Sequence, residues 1–324
     1  MQIQDVFSTY KDDLLRVEKC INDNVNSEIK LIPEIAHHLI DSGGKRFRPL
    51  LLLICARLCD YHGESRFPMA TVMEFIHTAT LLHDDVIDQA LIRRGKDSAN
   101  QIFGNSVSIL VGDFLCFKAF MLMSAIGSTD IFKLVSQMGN IMSEGEVFQL
   151  TKCGDFNMSQ EEYLSIIEKK TAILISASCA AGAILGFAQP DKIAALSRFG
   201  QNAGMAFQIT DDVLDYTAKG KDFGKSLGKD LEEGKITLPL IFAIKQSSEE
   251  EKNIIREIIK RKKGSQKAAR EITRLIKKYN SIESSLKVAT GYVNEAKLQL
   301  SVFGECPEKD HLNTVADYIL SRNI

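Results

Sequence analysis

The hydrophobic residues of this chain recur at helical spacing. Ile254, Ile255, Ile258 and Ile259 are one example, since residues three and four apart share one face of a helix. Alternating apolar and polar runs are few, and no Asn-Gly or Asp-Gly turn joins two of them. Only six prolines interrupt 324 residues. The pattern therefore predicts an all-α fold of long helices.

Breaks in this pattern divide the chain into predicted helices. Residues 1–41 predict two helices, and the stretch 42–44 (Ser-Gly-Gly) separates them from an apolar helix over 50–58. Further helices are predicted at 106–123, 130–150 and 160–188. Because neither an internal repeat nor a low-complexity linker divides the chain, we expect a single domain over residues 1–324.

One uncharged run approaches the length of a membrane span. Residues 171–188 contain no charged side chain over eighteen residues, which is near the lower limit for a span. Ser176, Ser178 and Gly182 make the run weakly hydrophobic, however. We expect a core helix of a soluble protein rather than an integral membrane helix.

Two Asp-Asp-x-x-Asp motifs each close an apolar, helix-predicting run. The first consists of Asp84, Asp85 and Asp88, and the second of Asp211, Asp212 and Asp215. Residues four apart stack on one helix face, so the first and last aspartates of each motif should point the same way. Such carboxylates repel one another where water is scarce. Mg²⁺ prefers oxygen ligands, including one or two carboxylates and substrate phosphates, so the motifs predict Mg²⁺ sites that receive a diphosphate.

A solvated acidic surface is the alternative for either motif alone. The apolar flanks favour the metal sites, and so do the cations that follow each motif. Arg93 and Arg94 follow the first motif, and Lys225 and Lys235 follow the second. A third group of cations, Lys45, Arg46 and Arg48, comes directly after two glycines at a predicted helix start, which is a favourable place for an anion.

Composition narrows the class of protein further. A formal net charge of −2 gives no reason to expect a nucleic-acid partner. The seven cysteines form no CxxC pair, which fits reduced thiols in a cytoplasmic protein. The start, MQIQDVFSTYKDD, has no basic segment followed by an apolar core, so we expect no signal peptide. The basic run 260–263 predicts a solvated helix end, with peripheral membrane contact as the alternative.

Several blocks together carry a family resemblance. They are GGKRFRP (43–49), LLHDDVID (81–88) with RRG (93–95), GDFL (112–115), KTA (170–172), FQITDDVLDY (207–216) and GKSLGKDLEEGKITLPL (224–240). In this order and over roughly residues 40–240, they resemble the trans-isoprenyl diphosphate synthases, the polyprenyl synthetase family. The resemblance implies a large helical bundle around a central apolar cavity, a homodimer, and prenyl transfer from an allylic diphosphate to isopentenyl diphosphate.

The resemblance also implies roles for individual residues. Isopentenyl diphosphate would bind to Lys45, Arg48, His77 and Arg94. The allylic diphosphate, expected to be farnesyl diphosphate, would bind to Arg93, Lys170, Thr171, Gln208, Lys225 and Lys235. The six aspartates would be the metal ligands, and the catalytic set would be Asp84, Asp85, Asp88, Arg93, Lys170, Asp211, Asp212 and Lys225. His83, beside the first motif, is a candidate partner of these aspartates.

Product length should depend on the helix wall that precedes the first motif. In short-chain members of the family, bulky aromatic residues there block growth of the chain. Ala79 and Thr80 hold this level here and leave a gap. We therefore expect a long-chain product, and the segment HTATLLHDD is similar to octaprenyl members, whose products become quinone side chains. Candidate residues for the floor of the cavity are Met123, Phe132 and Met138.

Three alternatives stay open at this stage. A shorter-chain synthase, making farnesyl or geranylgeranyl diphosphate, would differ only in the cavity floor. A terpene cyclase shares one Asp-Asp-x-x-Asp motif, but the second motif and GGKRFRP disfavour it. A non-catalytic subunit of a heteromeric synthase would be expected to lack some of the aspartates or cations, all of which are present here.

Overall fold

The computed structural model describes residues 1–44, 46–217, 233–260 and 266–322. The α-helices in these ranges are α1 (Ile3–Thr9), α2 (Lys11–Val25), α3 (Leu31–Ile40), α4 (Phe47–Leu58), α5 (Arg66–Ile87), α6 (Ala99–Phe103), α7 (Asn105–Ile126), α8 (Thr129–Lys152), α9 (Gln160–Ile167), α10 (Ile173–Leu185), α11 (Pro190–Thr217), α12 (Leu238–Gln246), α13 (Glu249–Lys260), α14 (Gln266–Lys278), α15 (Ser281–Gln299) and α16 (Pro307–Ser321). A π-helical turn spans Glu168–Ala172 and a 3₁₀ turn spans Leu300–Val302. The predicted all-α class is confirmed.

The N-terminal prediction of two helices is wrong, because residues 1–41 form three. At Tyr10 the backbone (φ −101°, ψ 11°) leaves helical geometry and separates α1 from α2. The polar stretch after α2, which begins at Asn26, then separates α2 from α3. The local apolar pattern runs through the break at Tyr10, since Val6 and Tyr10 are both fully buried.

A short antiparallel hairpin, which the sequence pattern did not predict, follows the first acidic motif. It pairs β1 (Ile92–Arg93) with β2 (Lys96–Asp97). The two turn residues, Arg94 (φ 52°) and Gly95 (φ 78°), both have positive φ, as a tight hairpin turn requires. Arginine rarely occupies such a position, so residues 92–97 carry no recognisable hairpin signal.

The chain forms two compact units. One comprises Met1–Gln137, Ala177–Ser197 and Phe303–Leu312, and the other comprises Met138–Ser176, Arg198–Val302 and Asn313–Ile324. The expectation that residues 1–324 form a single domain stays a prediction.

In the first unit, small residues allow helices to approach closely. A Cβ atom at Gly182 of α10 would lie 2.5 Å from the Leu52 carbonyl oxygen of α4. A Cβ atom at Gly112 of α7 would lie 2.3 Å from the His83 ring of α5. The uncharged run around Gly182 is buried, as expected for a core helix.

In the second unit, the π-helical turn packs through glycines on either side. A Cβ atom at Gly204 of α11 would lie 2.5 Å from the Cα of Ala172, and one at Gly145 of α8 would lie 2.6 Å from the Cβ of Lys169. The sequence predicted one helix over 160–188. The structure instead has α9, the π turn and α10 in succession. The turn therefore sits where three backbones come together.

Helix α7 keeps an apolar face exposed. Of the helices in the described ranges, it alone has the length and apolar composition that a membrane crossing requires. Only 28% of its most apolar stretch of 18 residues is buried. Its exposed apolar side chains are Ile109, Leu110, Phe117, Phe120 and Met121.

Candidate active site

The first acidic motif lies at the C-terminal end of α5. Asp84 and Asp85 occupy the last turn, and the backbone N–H of Asp88 donates to the Asp84 carbonyl at 2.8 Å. Asp85 is fully buried, and the Nε of Arg93 in β1 donates to its Oδ1 at 2.9 Å. Its Oδ2 is buried and has no hydrogen-bond partner among the described residues. A buried carboxylate oxygen without a donor is favourable for a cation.

His83 holds the same end of α5 against α7. Its Nε2 lies 3.2 Å from the Ile109 carbonyl oxygen and 3.4 Å from Oδ1 of Asp113. Gly112 makes this position available, because any side chain there would overlap the imidazole. Both of these contacts of His83 are with α7, and its predicted role as a partner of the motif stays a prediction.

The residues predicted to bind isopentenyl diphosphate form a cationic group in the first unit. Lys45 lies outside the described residues. Burial, with the charge of Arg94, lowers the pKa of Arg48 to about 10, although Glu74 opposes the shift. Burial and the nearby arginines lower the pKa of His77 well below its usual range. The Nε of Arg48 is buried and has no acceptor among the described residues. Such a crowded set of cations is suited to an anion.

The second acidic motif ends α11, and protein donors occupy one of its aspartates. Tyr163 of α9 donates its hydroxyl to Oδ2 of Asp212 at 2.6 Å. Gln208 donates to Oδ1 of the same carboxylate at 2.7 Å, and Thr171 donates to Gln208 at 2.9 Å. The predicted residues Thr171, Gln208 and Asp212 are therefore connected in one chain of hydrogen bonds.

Asp211 lies beside a cation from the last helix. Arg322, directly after α16, lies 3.6 Å from Oδ1 of Asp211 and stacks over Phe207 at 3.8 Å. Partial burial raises the pKa of Asp211 above its usual range, and the charge of Arg322 opposes this shift. The sequence did not identify Arg322, which is remote from the motif along the chain.

A cavity in the second unit brings many of the predicted residues together. Its lining includes Lys170, Thr171, Gln208, Asp212 and Lys235. These five side chains come from the π turn, α11 and the segment before α12. Lys225, also predicted for this region, lies outside the described residues.

Lys170 and Lys235, two of the lysines that line this cavity, each lie against a carboxylate. Lys170 pairs with Glu146 of α8 at 2.6 Å, and Lys235 pairs with Glu233 at 2.5 Å. Sequence reasoning missed Glu146, Glu233 and Tyr163. No local spacing could have indicated Tyr163, because it is 49 residues from Asp212.

The residues predicted to control product length differ in burial. Ala79 is fully buried, and Thr80 donates its hydroxyl to the His77 carbonyl at 2.8 Å. Met123 and Met138 are buried, whereas Phe132 is 47% exposed. A residue at the floor of a cavity is expected to be buried, so Phe132 is the least supported of the three floor candidates.

The carboxylates fit a metal that brings its own ligands. In the described ranges, no three carboxylate, histidine or cysteine side chains converge on one point. Mg²⁺ usually keeps several waters and takes one or two carboxylates plus substrate phosphates, so it does not need such a cage. The buried Oδ2 of Asp85, without a partner among the described residues, fits that mode.

This geometry defines a class of protein. Its members have an all-α fold, with two aspartate motifs at helix ends and cationic side chains near each motif. The polyprenyl synthetase model matches residues 29–276, and the chain belongs to that family. It is a trans-polyprenyl diphosphate synthase and a transferase.

Known proteins of the family resemble the chain over its full length. Octaprenyl diphosphate synthase of Escherichia coli is 35% identical, with 100% of each chain covered. A polyprenyl synthase from Caulobacter crescentus, solved as a complex with calcium and isoprenyl diphosphate, is 38% identical with a TM-score of 0.95, covering 100% of this chain and 98% of that one. A decaprenyl diphosphate synthase from Rhodobacter capsulatus is 36% identical with a TM-score of 0.93, covering 98% of both chains. The relatives therefore differ in product length.

Proposed function

We propose that this synthase condenses isopentenyl diphosphate with an allylic diphosphate, farnesyl diphosphate by preference, and extends it to the all-trans octaprenyl diphosphate in a Mg²⁺-dependent reaction. The observation that carries the proposal is the pair of aspartate motifs, each at the end of a buried helix. The preference for octaprenyl rests on Ala79 and Thr80 and on the likeness to the Escherichia coli enzyme.

Each motif has a separate part in the proposed reaction. Asp84, Asp85 and Asp88 in the first unit, and Asp211, Asp212 and Asp215 in the second, would hold Mg²⁺. When bound, the metal supplies positive charge to a departing diphosphate. Arg93, Lys170 and Lys235 would stabilise the same charge directly. For Lys170 and Lys235 this requires exchange of Glu146 and Glu233 for the substrate.

The cationic group around Arg48, His77 and Arg94 would bind and orient isopentenyl diphosphate. Burial and the nearby arginines lower the pKa of His77 and so favour its neutral form, which would act there as a hydrogen-bonding group. The double bond of isopentenyl diphosphate would attack the allylic cation, and a proton would then leave. Apolar surroundings protect such a cation from water.

The first experiment measures the reaction and its product together. Purified protein is incubated with farnesyl diphosphate, labelled isopentenyl diphosphate and Mg²⁺, and the dephosphorylated products are sized. A ladder that ends at the octaprenyl product supports the proposal. Products that stop at geranylgeranyl length would retain the family activity but contradict the long-chain assignment, and incorporation that persists in excess chelator would contradict the need for Mg²⁺.

Substitution of Ala79 tests the proposed control of product length. Ala79→Tyr places an aromatic ring where a short-chain enzyme has one, so the product should become shorter. Ala79→Leu provides a smaller step and should give an intermediate product. Because Ala79 is fully buried, both variants are first checked for thermal stability. If an active, folded Ala79→Tyr enzyme still makes the octaprenyl product, residue 79 does not control product length.

We also propose that two copies associate through the exposed apolar face of α7. Leu110, Phe117 and Met121 are each 64% exposed, which is unusual for a helix that α5 already holds in place. A second copy would cover this face and explain the apolar composition of α7 without a membrane.

We further propose a cytoplasmic enzyme whose product becomes a quinone side chain. All seven cysteines lie in the described residues and none of them forms a disulfide, which fits a reducing compartment. Peripheral contact of the basic run 260–263, of which only Lys260 lies in the described residues, with anionic lipid would assist delivery of an apolar product. Sedimentation of the enzyme with vesicles that contain anionic lipid, but not with neutral ones, would support that contact.

A further inference from the structure

Arg46 occupies a strained position beside the cationic group of the first unit. It precedes α4 and has left-handed backbone dihedrals (φ 46°, ψ 43°). Side chains with a Cβ atom rarely adopt this conformation, and it persists only where surrounding contacts enforce it. The contacts that Arg46 makes must therefore stabilise this conformation.

The guanidinium of Arg46 is held by three elements. It donates from Nε and Nη2 to the carboxylate of Glu18 on α2, with Nη2 at 3.2 Å from Oε2. Nη1 donates to Oε1 of Glu74 on α5 at 3.0 Å, and Nη2 donates to the Ile40 carbonyl at 3.1 Å. The side chains of Arg46 and Glu74 are only 12% and 8% exposed. With its donors directed at these partners, Arg46 has little capacity left for a substrate.

Glu74 is the carboxylate that acts on the neighbouring cations. It lies one turn before His77 on α5 and opposes the fall in pKa of both Arg48 and Arg94. A carboxylate that was free to move toward these arginines would compete with an anionic substrate. Arg46 binds Glu74 instead, which leaves Arg94 and Arg48, whose buried Nε has no acceptor in the described part of the chain, available for an anion.

We propose that Arg46 is a positioning residue for isopentenyl diphosphate, which it serves by fixing the loop before α4 and by binding Glu74 away from Arg48 and Arg94. This inference rests on the proposed function, because that function makes the cationic group the isopentenyl diphosphate site. Arg46 acts through its neighbours and does not contact the diphosphate.

The test combines removal of Arg46 with removal of the Glu74 charge. Arg46→Met should weaken isopentenyl diphosphate binding about tenfold, which corresponds to about 1.4 kcal/mol. In the same variant, the KM for farnesyl diphosphate should change by less than about twofold. In the double variant Arg46→Met with Glu74→Gln, most of the lost affinity should return, because the Glu74 charge that competes for the arginines is then absent.

Arg57→Met is the matched control. Arg57 is also half-buried and pairs with a carboxylate of the same unit, Asp13, at 2.7 Å. It should lower the melting temperature and leave the KM for isopentenyl diphosphate unchanged. If Arg46→Met does not fold, Arg46→Lys replaces it, since one ammonium group cannot bridge both carboxylates and should give a smaller loss of affinity.

Binding is measured by calorimetry with isopentenyl diphosphate, alongside turnover. Unchanged affinity in a folded Arg46 variant would overturn the inference, and so would a loss that Glu74→Gln fails to restore, which would indicate direct contact with the diphosphate. A wild-type protein that binds isopentenyl diphosphate, with an affinity that Arg46→Met lowers, but never incorporates it would support the inference and contradict the proposed function. A wild type that does not bind it contradicts both.

Discussion

The carboxylate of Asp212 receives a hydrogen bond on each of its oxygens. The donors, Tyr163 and Gln208, come from different helices, so the orientation of this aspartate is fixed before any ligand arrives. Partners of this kind commonly change metal affinity or activity by about 10–100-fold when they are removed. Tyr163 therefore belongs to the site although it is not one of the acidic residues.

Replacement of Tyr163 by Phe should show this effect. The change removes one donor to Asp212 and leaves the ring in place, so we expect a higher Mg²⁺ requirement and about a tenfold fall in kcat. The measurement is the rate as a function of Mg²⁺ concentration. Tyr279→Phe is the control, because Tyr279 donates to Glu251 in a similar bond outside the cavity. Equal Mg²⁺ curves for Tyr163→Phe and wild type would contradict the role.

The neutral state of His77 predicts a pH dependence of stability. Because the folded pKa is lowered, the unfolded chain takes up a proton near pH 6.5 while folded His77 does not. Stability should therefore decrease as the pH falls below about 6.5, by up to about 1.4 kcal/mol per pH unit, until the folded pKa is reached.

Chemical denaturation of His77→Asn between pH 7 and pH 5 measures this contribution. The variant should lose less stability over this range than the wild type. His62→Asn changes a histidine whose side chain is 68% exposed and should keep the wild-type dependence. If His77→Asn and the wild type show the same slope, His77 does not carry the effect.

Among the elements, the π-helical turn Glu168–Ala172 has the largest effect on the candidate site. If residues 160–188 formed one continuous α-helix, Lys170 and Thr171 would be shifted from their observed positions. Single π turns of this kind occur often at functional sites. The turn fits because Gly145 and Gly204 offer no side chain on either side of it.

Two glycines of α8 provide a direct comparison. Gly145→Ala would force a Cβ atom to 2.6 Å from the Cβ of Lys169, so we expect a loss of about 1–3 kcal/mol and reduced activity through Lys170. A Cβ atom at Gly139 meets nothing within 4 Å, so Gly139→Ala should stabilise the protein by about 0.5–1 kcal/mol. The free energy of unfolding of the two variants decides, and equal effects would contradict the close packing.

Prediction from the sequence succeeded where the signal is local. The Asp84 and Asp211 motifs end helices as their spacing indicated, and the run around Gly182 is a core helix. The hairpin at Arg94 was missed because the turn residues are atypical. The π turn was missed because the glycines that make room for it, Gly145 and Gly204, are remote in sequence.

The same reason explains the side chains that the sequence did not reveal. Tyr163, Glu146 and Glu18 reach their partners only after the chain has folded, and the spacing of each pair along the chain is not a recognisable motif. The basic residues of GGKRFRP were found as a group. The difference between two of them is visible only in the folded protein. Arg48 keeps a donor that has no partner among the described residues, whereas Arg46 binds two carboxylates.

At the scale of the whole molecule, the exposed face of α7 predicts an assembly of two copies. Phe117→Glu should place a charge in the proposed contact and convert a dimer to a monomer, as measured by light scattering after gel filtration. Phe187→Glu is the control, because Phe187 is 89% exposed outside α7. A monomeric wild type, or a dimeric Phe117→Glu variant, would contradict the proposal. Flotation of the wild type with neutral vesicles would assign the face to lipid instead.

The bonds that join Arg46 to Glu18 and Glu74 also bear on how this chain can vary during evolution. A change of Arg46 alone leaves a carboxylate near two arginines, and a change of Glu74 alone removes one anchor of a strained loop. Either single step carries a penalty that the second step relieves. Descendants of this sequence should therefore lose Arg46 and Glu74 together, as a coupled pair of substitutions.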